Sequence, residues 1–244
     1  MSLIVPNRAG PKAPKRPAPP LAPALPQNLH QRYPDFLHML PQQDRDFLLS
    51  KAVEKTVKKG QVLYHQGDPS DNVFIILRGA IKIHYLYGSG NSFTASYYRD
   101  GMLVGAHGYS QWAGNHSWSA QALVDSRVLW LRRSHVVELV DRSTEALKCV
   151  LAIVEFKATQ LKKVIRLLAT PTLEERIFMA INYLGEIYGV EHADGIEIGD
   201  RFTHQEIAEM VGASRQSVTT LLVSLEKAGH IRRDGRKIFI RAKP

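Results

Sequence analysis

The stretch "THQEIAEMVGASRQSVTTLLVSLEKAGHI", Thr203 to Ile231, decides how the rest of the chain is read. Thr203 followed three residues later by Glu206 has the form of a capping box, so a helix begins there and carries Ile207 and Val211 inward. Ala208 is small where two helices would cross closely, and Gly212 suits a short turn that needs an unhindered backbone. If a second helix starts after Ser214, Val218, Leu221, Leu222 and Leu225 fall at i, i+3, i+4 and i+7 and line one face. Counted from His204 as the first position, apolar residues stand at positions 4, 8, 10, 15 and 18, alanine at 5 and glycine at 9, which is a complete helix-turn-helix pattern.

The face opposite the apolar stripe holds Arg215, Gln216, Thr219 and Thr220. Arginine and glutamine can form paired hydrogen bonds to guanine and adenine edges, and short hydroxyls let a helix lie close to DNA. An amphipathic helix with a solvated polar face would give the same stripe. The C-terminal residues favour DNA. "HIRRDGRKIFIRA" reads as a hairpin, Ile231 to Arg233, an Asp234-Gly235 turn, then Lys237 to Arg241, making a winged helix-turn-helix. From Arg215 to the end there are eight Lys/Arg against two acidic residues, Glu226 and Asp234, a local charge of +6. Such a surface suits phosphates, which position a protein while base contacts specify the sequence. The expected DNA-contacting set is Thr203, His204, Ser214, Arg215, Gln216, Ser217, Thr219, Thr220, Arg232, Arg236 and Lys237.

Upstream of the reader, the spacing predicts a long helix over about Arg142 to Leu168. Leu147, Leu151, Val154, Ala158, Leu161, Ile165 and Leu168 are spaced 4-3-4-3-4-3, a heptad seam that argues for a two-stranded coiled coil between copies. The same stripe could also pack on the chain's own body. Thr170-Pro171 ends the helix, and Thr172 with Glu174 and Glu175 starts the next, leaving a hinge between. A short helix is expected from about Phe36 to Leu49. Between it and the long helix, "VLYHQGD", "NVFIILRGAIKIHYLY", "SFTASYYRDGMLVGA", "SWSAQALV" and "RVLWLRR" are short strands punctuated by turns, as in a sandwich or small barrel. Residues 1–28 carry eight prolines and four basic residues with no acid, and read as a disordered, Pro-rich basic arm.

The expected fold class is therefore α+β: a β-roll (jelly-roll-like) sensor over residues 29–140, a dimerisation helix over 141–169 and a winged helix-turn-helix over 170–244. The 244 residues, 44% hydrophobic, suffice for a sizeable core, and the net charge of +9 favours a polyanionic partner. A single cysteine, Cys149, excludes an internal disulfide or a multi-cysteine metal site within one chain. It is assigned no role. With no long apolar run and no signal-peptide pattern, the chain reads as a cytoplasmic protein without a membrane partner.

The order of β-roll, long helix, hinge and winged reader resembles the Crp/Fnr superfamily of bacterial transcription regulators over nearly all of residues 36–241. The residues that carry the likeness are "GQVLYHQGDPSDNVFIILRGAIKI", then Gly101 and Gly105, then Thr203 to Ile231. The resemblance implies a homodimer on a two-fold operator in double-stranded DNA that contacts or occludes RNA polymerase, and no enzymatic activity. Cyclic-AMP-binding members would carry Gly-Glu after Gly101 and, ten residues beyond that glutamate, Arg followed by Ser or Thr. This chain has Gly105-Ala106 and His116-Ser117, and Leu161 and Lys162 replace the adenine-contacting hydroxyl residues. A cyclic phosphate would lack its charge-assisted partner, so cyclic AMP is not expected to bind tightly.

The iron–sulfur cysteines of the oxygen-sensing members are absent as well. His107 falls where carbon-monoxide-sensing members place a haem-ligating histidine, although Gly105 replaces their cysteine, so haem stays open beside a cyclic dinucleotide, an organic acid or no effector. A cupin-like metalloenzyme drawing on His65, His84, His107 and His116 competes poorly, because no His-x-His with a following glutamate appears. A pure protein-interaction module would leave the base-reading face unexplained.

Overall fold

The computed structural model describes residues 33–105, 114–193, 195–199 and 202–241. The basic arm, Ala106 and His107 lie outside the described residues. The chain opens with α1 (Phe36–Met39) and α2 (Gln42–Lys51) where the apolar pattern predicts a single helix. Pro41 is the reason. It drives Leu40 to extended backbone (φ −72°, ψ 142°), as proline does to the residue before it.

Eight strands follow: β1 (Val53–Val57), β2 (Val62–Tyr64), β3 (Asn72–Arg78), β4 (Ala80–Leu86), β5 (Ser92–Arg99), β6 (Leu103–Gly105), β7 (Ser119–Ala122) and β8 (Ser126–Arg132). They form two antiparallel sheets, β1-β8-β3-β6 and β2-β7-β4-β5, the two layers of a β-roll. Phe74, Ile76, Ile81, Ile83, Tyr98, Val104 and Val128 fill the space between the layers. The chain passes from one sheet to the other at Gly79, where φ is +130° and an added Cβ would lie 2.1 Å from the Ser126 hydroxyl. Only glycine fits there.

Two helices cross the roll, α3 (Arg133–Arg142) and α4 (Thr144–Leu168). The long helix thus starts two residues later than its periodicity predicts. Ser143 is extended (φ −134°) and its hydroxyl accepts from Ala146 N–H at 3.1 Å, so it caps α4 and separates it from α3. One side of α4 packs on the body through Ala146, Val150, Ile153, Val164 and Leu167. Cys149 is buried there and donates its thiol hydrogen to the Met39 carbonyl at 3.3 Å. The other side is the heptad seam, whose leucines, valine and isoleucine are 41–65% exposed from Leu147 to Leu168.

Beyond Pro171, Thr172 caps α5 (Leu173–Tyr188) by accepting from Glu175 N–H at 3.3 Å. The reader then comprises β9 (Val190–His192), β10 (Gly195–Ile198), α6 (His204–Val211), α7 (Arg215–Lys227), β11 (Ile231–Asp234) and β12 (Lys237–Arg241). The sequence predicts a wing of one hairpin. It is the edge pair of a four-stranded sheet, β11-β12-β10-β9, because β10 pairs with β12 from Gly195↔Arg241 to Ile198↔Ile238. The hairpin turn also sits one residue further on: Asp234 pairs with Lys237, so Gly235-Arg236 is the loop and glycine takes the positive φ. Ile177, Ile181, Ile207, Val211, Val218, Leu222 and Leu225 form the reader core, which runs on into Ala80, Tyr97 and Leu123 of the roll. No helix among the described residues is long and apolar enough to cross a membrane.

Candidate nucleic-acid interface

The reader is built on two caps and one left-handed glycine. Thr203 accepts from Glu206 N–H at 3.2 Å and starts α6. Gly212, at φ +67°, closes that helix, and the Ala213 N–H returns to the Ala208 carbonyl at 3.0 Å. Ser214 then accepts from Ser217 N–H at 3.0 Å and starts α7. The capping box is only half made. Glu206 does not fold back on Thr203 but reaches Lys82 and Tyr97 on the β-roll.

With Val218, Leu222 and Leu225 buried and Leu221 half-buried, α7 turns Arg215, Gln216, Thr219 and Thr220 to solvent in one band. Neither the Arg215 guanidinium nor the Gln216 amide hydrogen-bonds to another described residue, so both are available to base edges. The threonines are tied to their own helix: Thr219 Oγ1 donates to the Arg215 carbonyl at 2.8 Å and Thr220 Oγ1 to the Gln216 carbonyl at 3.2 Å. His204 Nδ1 lies 2.8 Å from Thr219 Oγ1. Since that hydroxyl hydrogen is already given to Arg215, His204 donates from Nδ1, which fixes its tautomer. Burial, then Arg233 and Arg215, hold its pKa below the usual histidine value, so the ring is neutral at pH 7. It joins the start of α6 to the exposed face of α7.

The wing is less free than its charge count implies. Arg233 pairs with Glu226 through Nε at 2.8 Å and Nη2 at 2.6 Å, holding that carboxyl below its ordinary range. Lys237 lies 2.9 Å from Glu197, and the Arg232 guanidinium stacks 3.8 Å over Phe239. Arg236 is exposed at the tip of the turn. The residues Thr203, His204, Ser214 and the first two turns of α7 are therefore gathered on one surface, with Arg236 at the end of the wing.

The expected effector residues are not gathered in this way. Gly105 closes β6 at φ +102°, with the Asn72 carbonyl only 2.7 Å from where a Cβ would stand. His116 is buried, stacked 3.6 Å on Tyr64, and its Nε2 meets no partner among the described residues. Burial lowers its pKa, against the pull of Asp68 and Asp71, so it offers no cation. Ser117, Leu161 and Lys162 are all exposed, the last two on the outer face of α4. Among the described residues no group of three His, Cys, Asp or Glu could hold a metal ion.

Sequence reasoning misses Lys157. It stands on the buried side of α4, donates to the Leu103 carbonyl at 2.6 Å and lies 4.6 Å over the Tyr98 ring, with burial pulling its pKa down to about 7. The only sequence signal is a heptad position on the inner stripe that is not apolar. A lysine whose folded pKa is depressed opposes folding fully below that value, and the opposition fades as pH rises toward the unfolded pKa. Lys157→Met should therefore raise unfolding free energy by about 1–3 kcal/mol at pH 6, where a buried cation gives way to an apolar chain. The gain should shrink by pH 9 in urea titrations. A gain independent of pH would mean the folded lysine stays charged.

Residues 54–143 match the cyclic nucleotide-binding domain model and residues 175–243 the Crp-like helix-turn-helix domain model. The global nitrogen regulator of Nostoc sp. is 28% identical over 191 residues, 77% of this chain and 85% of that protein. Among solved structures, FixK2 from Bradyrhizobium japonicum superposes with TM-score 0.69 at 19% identity, covering 78% of this chain and 92% of that one. The c-di-GMP responsive global regulator CLP of Xanthomonas campestris gives 0.72 at 15% identity, covering 83% and 100%.

Proposed function

The chain belongs to the Crp/Fnr superfamily of sequence-specific transcription regulators, and from that premise we propose that it works in the cytoplasm as a homodimer on a two-fold operator. Two copies pair along Leu147, Leu151, Val154, Ala158, Leu161, Ile165 and Leu168. Each presents Arg215 and Gln216 to one major groove, with half-sites about 34–36 Å apart, one turn of DNA. Thr203, Ser214, Ser217, Arg232 and Arg236 hold the flanking phosphates, with His204, Thr219, Thr220 and Lys237 lining the same surface. RNA polymerase is contacted or blocked from the same complex.

The observation that carries this reading is the coincidence of two unpartnered surfaces on one chain, the exposed seam of α4 and the open Arg215–Gln216 face of α7. Cyclic AMP is not the effector in this reading: in place of an arginine the roll offers His116, buried against Tyr64. Micromolar heat of binding for cyclic AMP would overturn that part alone.

Selection of bound duplexes from a random pool tests the whole. Wild type should enrich a palindrome containing guanine opposite Arg215. Arg215→Ala should lose about 1–3 kcal/mol of discrimination at that base pair and little elsewhere. An equal loss on every sequence would make Arg215 a phosphate contact, and a pool with no consensus would remove specific reading.

A further inference from the structure

The N-terminal arm and the roll each carry a feature that DNA reading does not use. Six of the arm's eight prolines fall on one period: Pro11, Pro14, Pro17, Pro20, Pro23 and Pro26. Three residues make one turn of a polyproline II helix, so this spacing lines all six along one edge of such a rod, about 9 Å from one to the next. A tail that only needs to be proline-rich has no use for that register. The charge is ordered as well. Lys12, Lys15 and Arg16 precede a half, residues 17–26, made of proline, alanine and leucine alone.

The roll exposes a surface of matching chemistry. Around the β4–β5 hairpin, Tyr87 packs edge-on against Tyr85 at 5.0 Å, Tyr85 edge-on against Trp118 at 5.7 Å, and Trp118 lies 6.3 Å from Phe93. Tyr85, Leu86 and Tyr87 are 36–49% exposed. Every second ring of this ladder is at most about one rod turn away, and an aromatic-lined groove is what a polyproline II segment with prolines at i and i+3 fits. The surroundings hold no cation of their own. In a chain of net charge +9, residues 61–77, 83–98 and 114–126, which carry the ladder and the loop beside it, include no lysine or arginine. They include Asp68, whose loop is tied to the ladder because the Gln66 amide donates to the Leu86 carbonyl at 2.9 Å and accepts from Leu86 N–H at 2.8 Å.

The arm also leaves the body within reach of the ladder. The described chain begins at Tyr33, whose ring lies edge-on to Phe156 of α4 at 5.5 Å with the Arg99 guanidinium 5.7 Å from it, and whose hydroxyl donates to the Glu186 carbonyl. Arg99 ends β5 and Phe93 stands at its start, about 20 Å away along the strand. Residues 27–32 span about 20–25 Å when extended, so Pro26 can arrive at the ladder. Held on so short a tether, the arm meets the ladder at an effective concentration of about 1 mM, which favours it over a free partner of the same chemistry.

We propose that the ladder of Tyr87, Tyr85 and Trp118 is the docking site of the chain's own N-terminal arm, which seats its period-three prolines on the rings as a polyproline II rod. The apolar half of the arm covers the rings, and Lys15 and Arg16 lie toward Asp68. That charge pair sits at the rim, where it sets the direction of the rod more than the strength of its binding. The docking does not depend on the DNA-binding function proposed for this chain.

The test titrates full-length chains into a dye-labelled synthetic peptide of residues 8–28 and reads anisotropy. Pro14→Ala, Pro17→Ala, Pro20→Ala and Pro23→Ala together vacate the ladder, and this chain should bind the peptide. Wild type, occupied by its own arm, should bind it roughly tenfold or more weakly. Adding Tyr85→Ala and Tyr87→Ala to the vacated chain should abolish binding, and Tyr87→Ala alone, at the outer end of the ladder, serves if the pair lowers the melting temperature. Asp68→Asn keeps an oxygen for the His65 N–H and should weaken binding while flattening its salt dependence. A peptide of the same composition with its prolines off the period of three should not bind. Equal binding by wild type and the vacated chain, binding that survives loss of the rings, or no binding by the vacated chain overturns the proposal. Sedimentation in which Tyr87→Ala breaks a dimer would give the ladder to a second copy and overturn it as well.

Discussion

Replacing Leu151 and Ile165 together by aspartate is expected to yield a folded monomer whose affinity for a two-fold operator is lower by about 10²–10⁴-fold, the advantage that linking two modest binders confers. The two side chains are 63% and 65% exposed, so neither supports the fold of the single chain. Paired in a seam, they would be buried in the first half of the helix and near its end, and two like charges facing across it would repel in low dielectric. Sedimentation measures the assembly state, thermal melting the integrity of the chain, and anisotropy the affinity. A variant that stays dimeric, or a monomer that binds the palindrome as tightly as wild type, would contradict the seam.

Leu222→Ala should act through the fold instead. Leu222 is fully buried between Val218 and Leu225 on α7 and packs in the cluster with Ile177, Ile207 and Val211. Truncation removes its contacts and leaves a cavity in a core that cannot wholly collapse, costing about 2–5 kcal/mol. Most of a small domain's margin is of that size. The reader should melt well below wild type and lose operator binding at growth temperature, whereas Arg215→Ala, on the exposed face of the same helix, should leave the melting temperature unchanged. Equal melting of Leu222→Ala and wild type would show the core to be looser than its burial implies.

Local signals carry most of what is legible in the sequence. The spacing from His204 to Leu225 sets two helices and a turn, and the caps Thr203, Ser214 and Thr172 all make the backbone bonds that their residue types favour. The errors are also local in origin. Pro41 interrupts an apolar pattern that reads as one helix, and Ser143 caps a helix whose periodicity runs through it unbroken until hydrogen bonding is considered. β9 and β10 run three and four residues, too short to show alternation.

Long-range partnering is what sequence does not supply. Glu206 satisfies the capping-box pattern, yet its carboxylate goes to a lysine 124 residues away, and no spacing rule reaches that far. Lys237 counts as a phosphate binder by charge alone, but Glu197 lies against it, as Glu226 does against Arg233. Charge is additive along a chain, whereas availability is decided by folding.

The two sides of α4 also constrain how the helix can move. The buried stripe Ala146, Val150, Ile153, Lys157, Gln160, Val164, Leu167 repeats the outer seam one residue earlier, so the stripes lie about 100° apart around the axis. Their centres differ: Lys157 and Gln160 on the inside stand beside Ala158 and Leu161 on the outside. Rolling the rod by one position would thrust a lysine and an amide into the proposed seam and turn its leucines away from the partner helix. Torsion is thereby penalised, so a message carried along this shaft would take the form of a change of inclination or height.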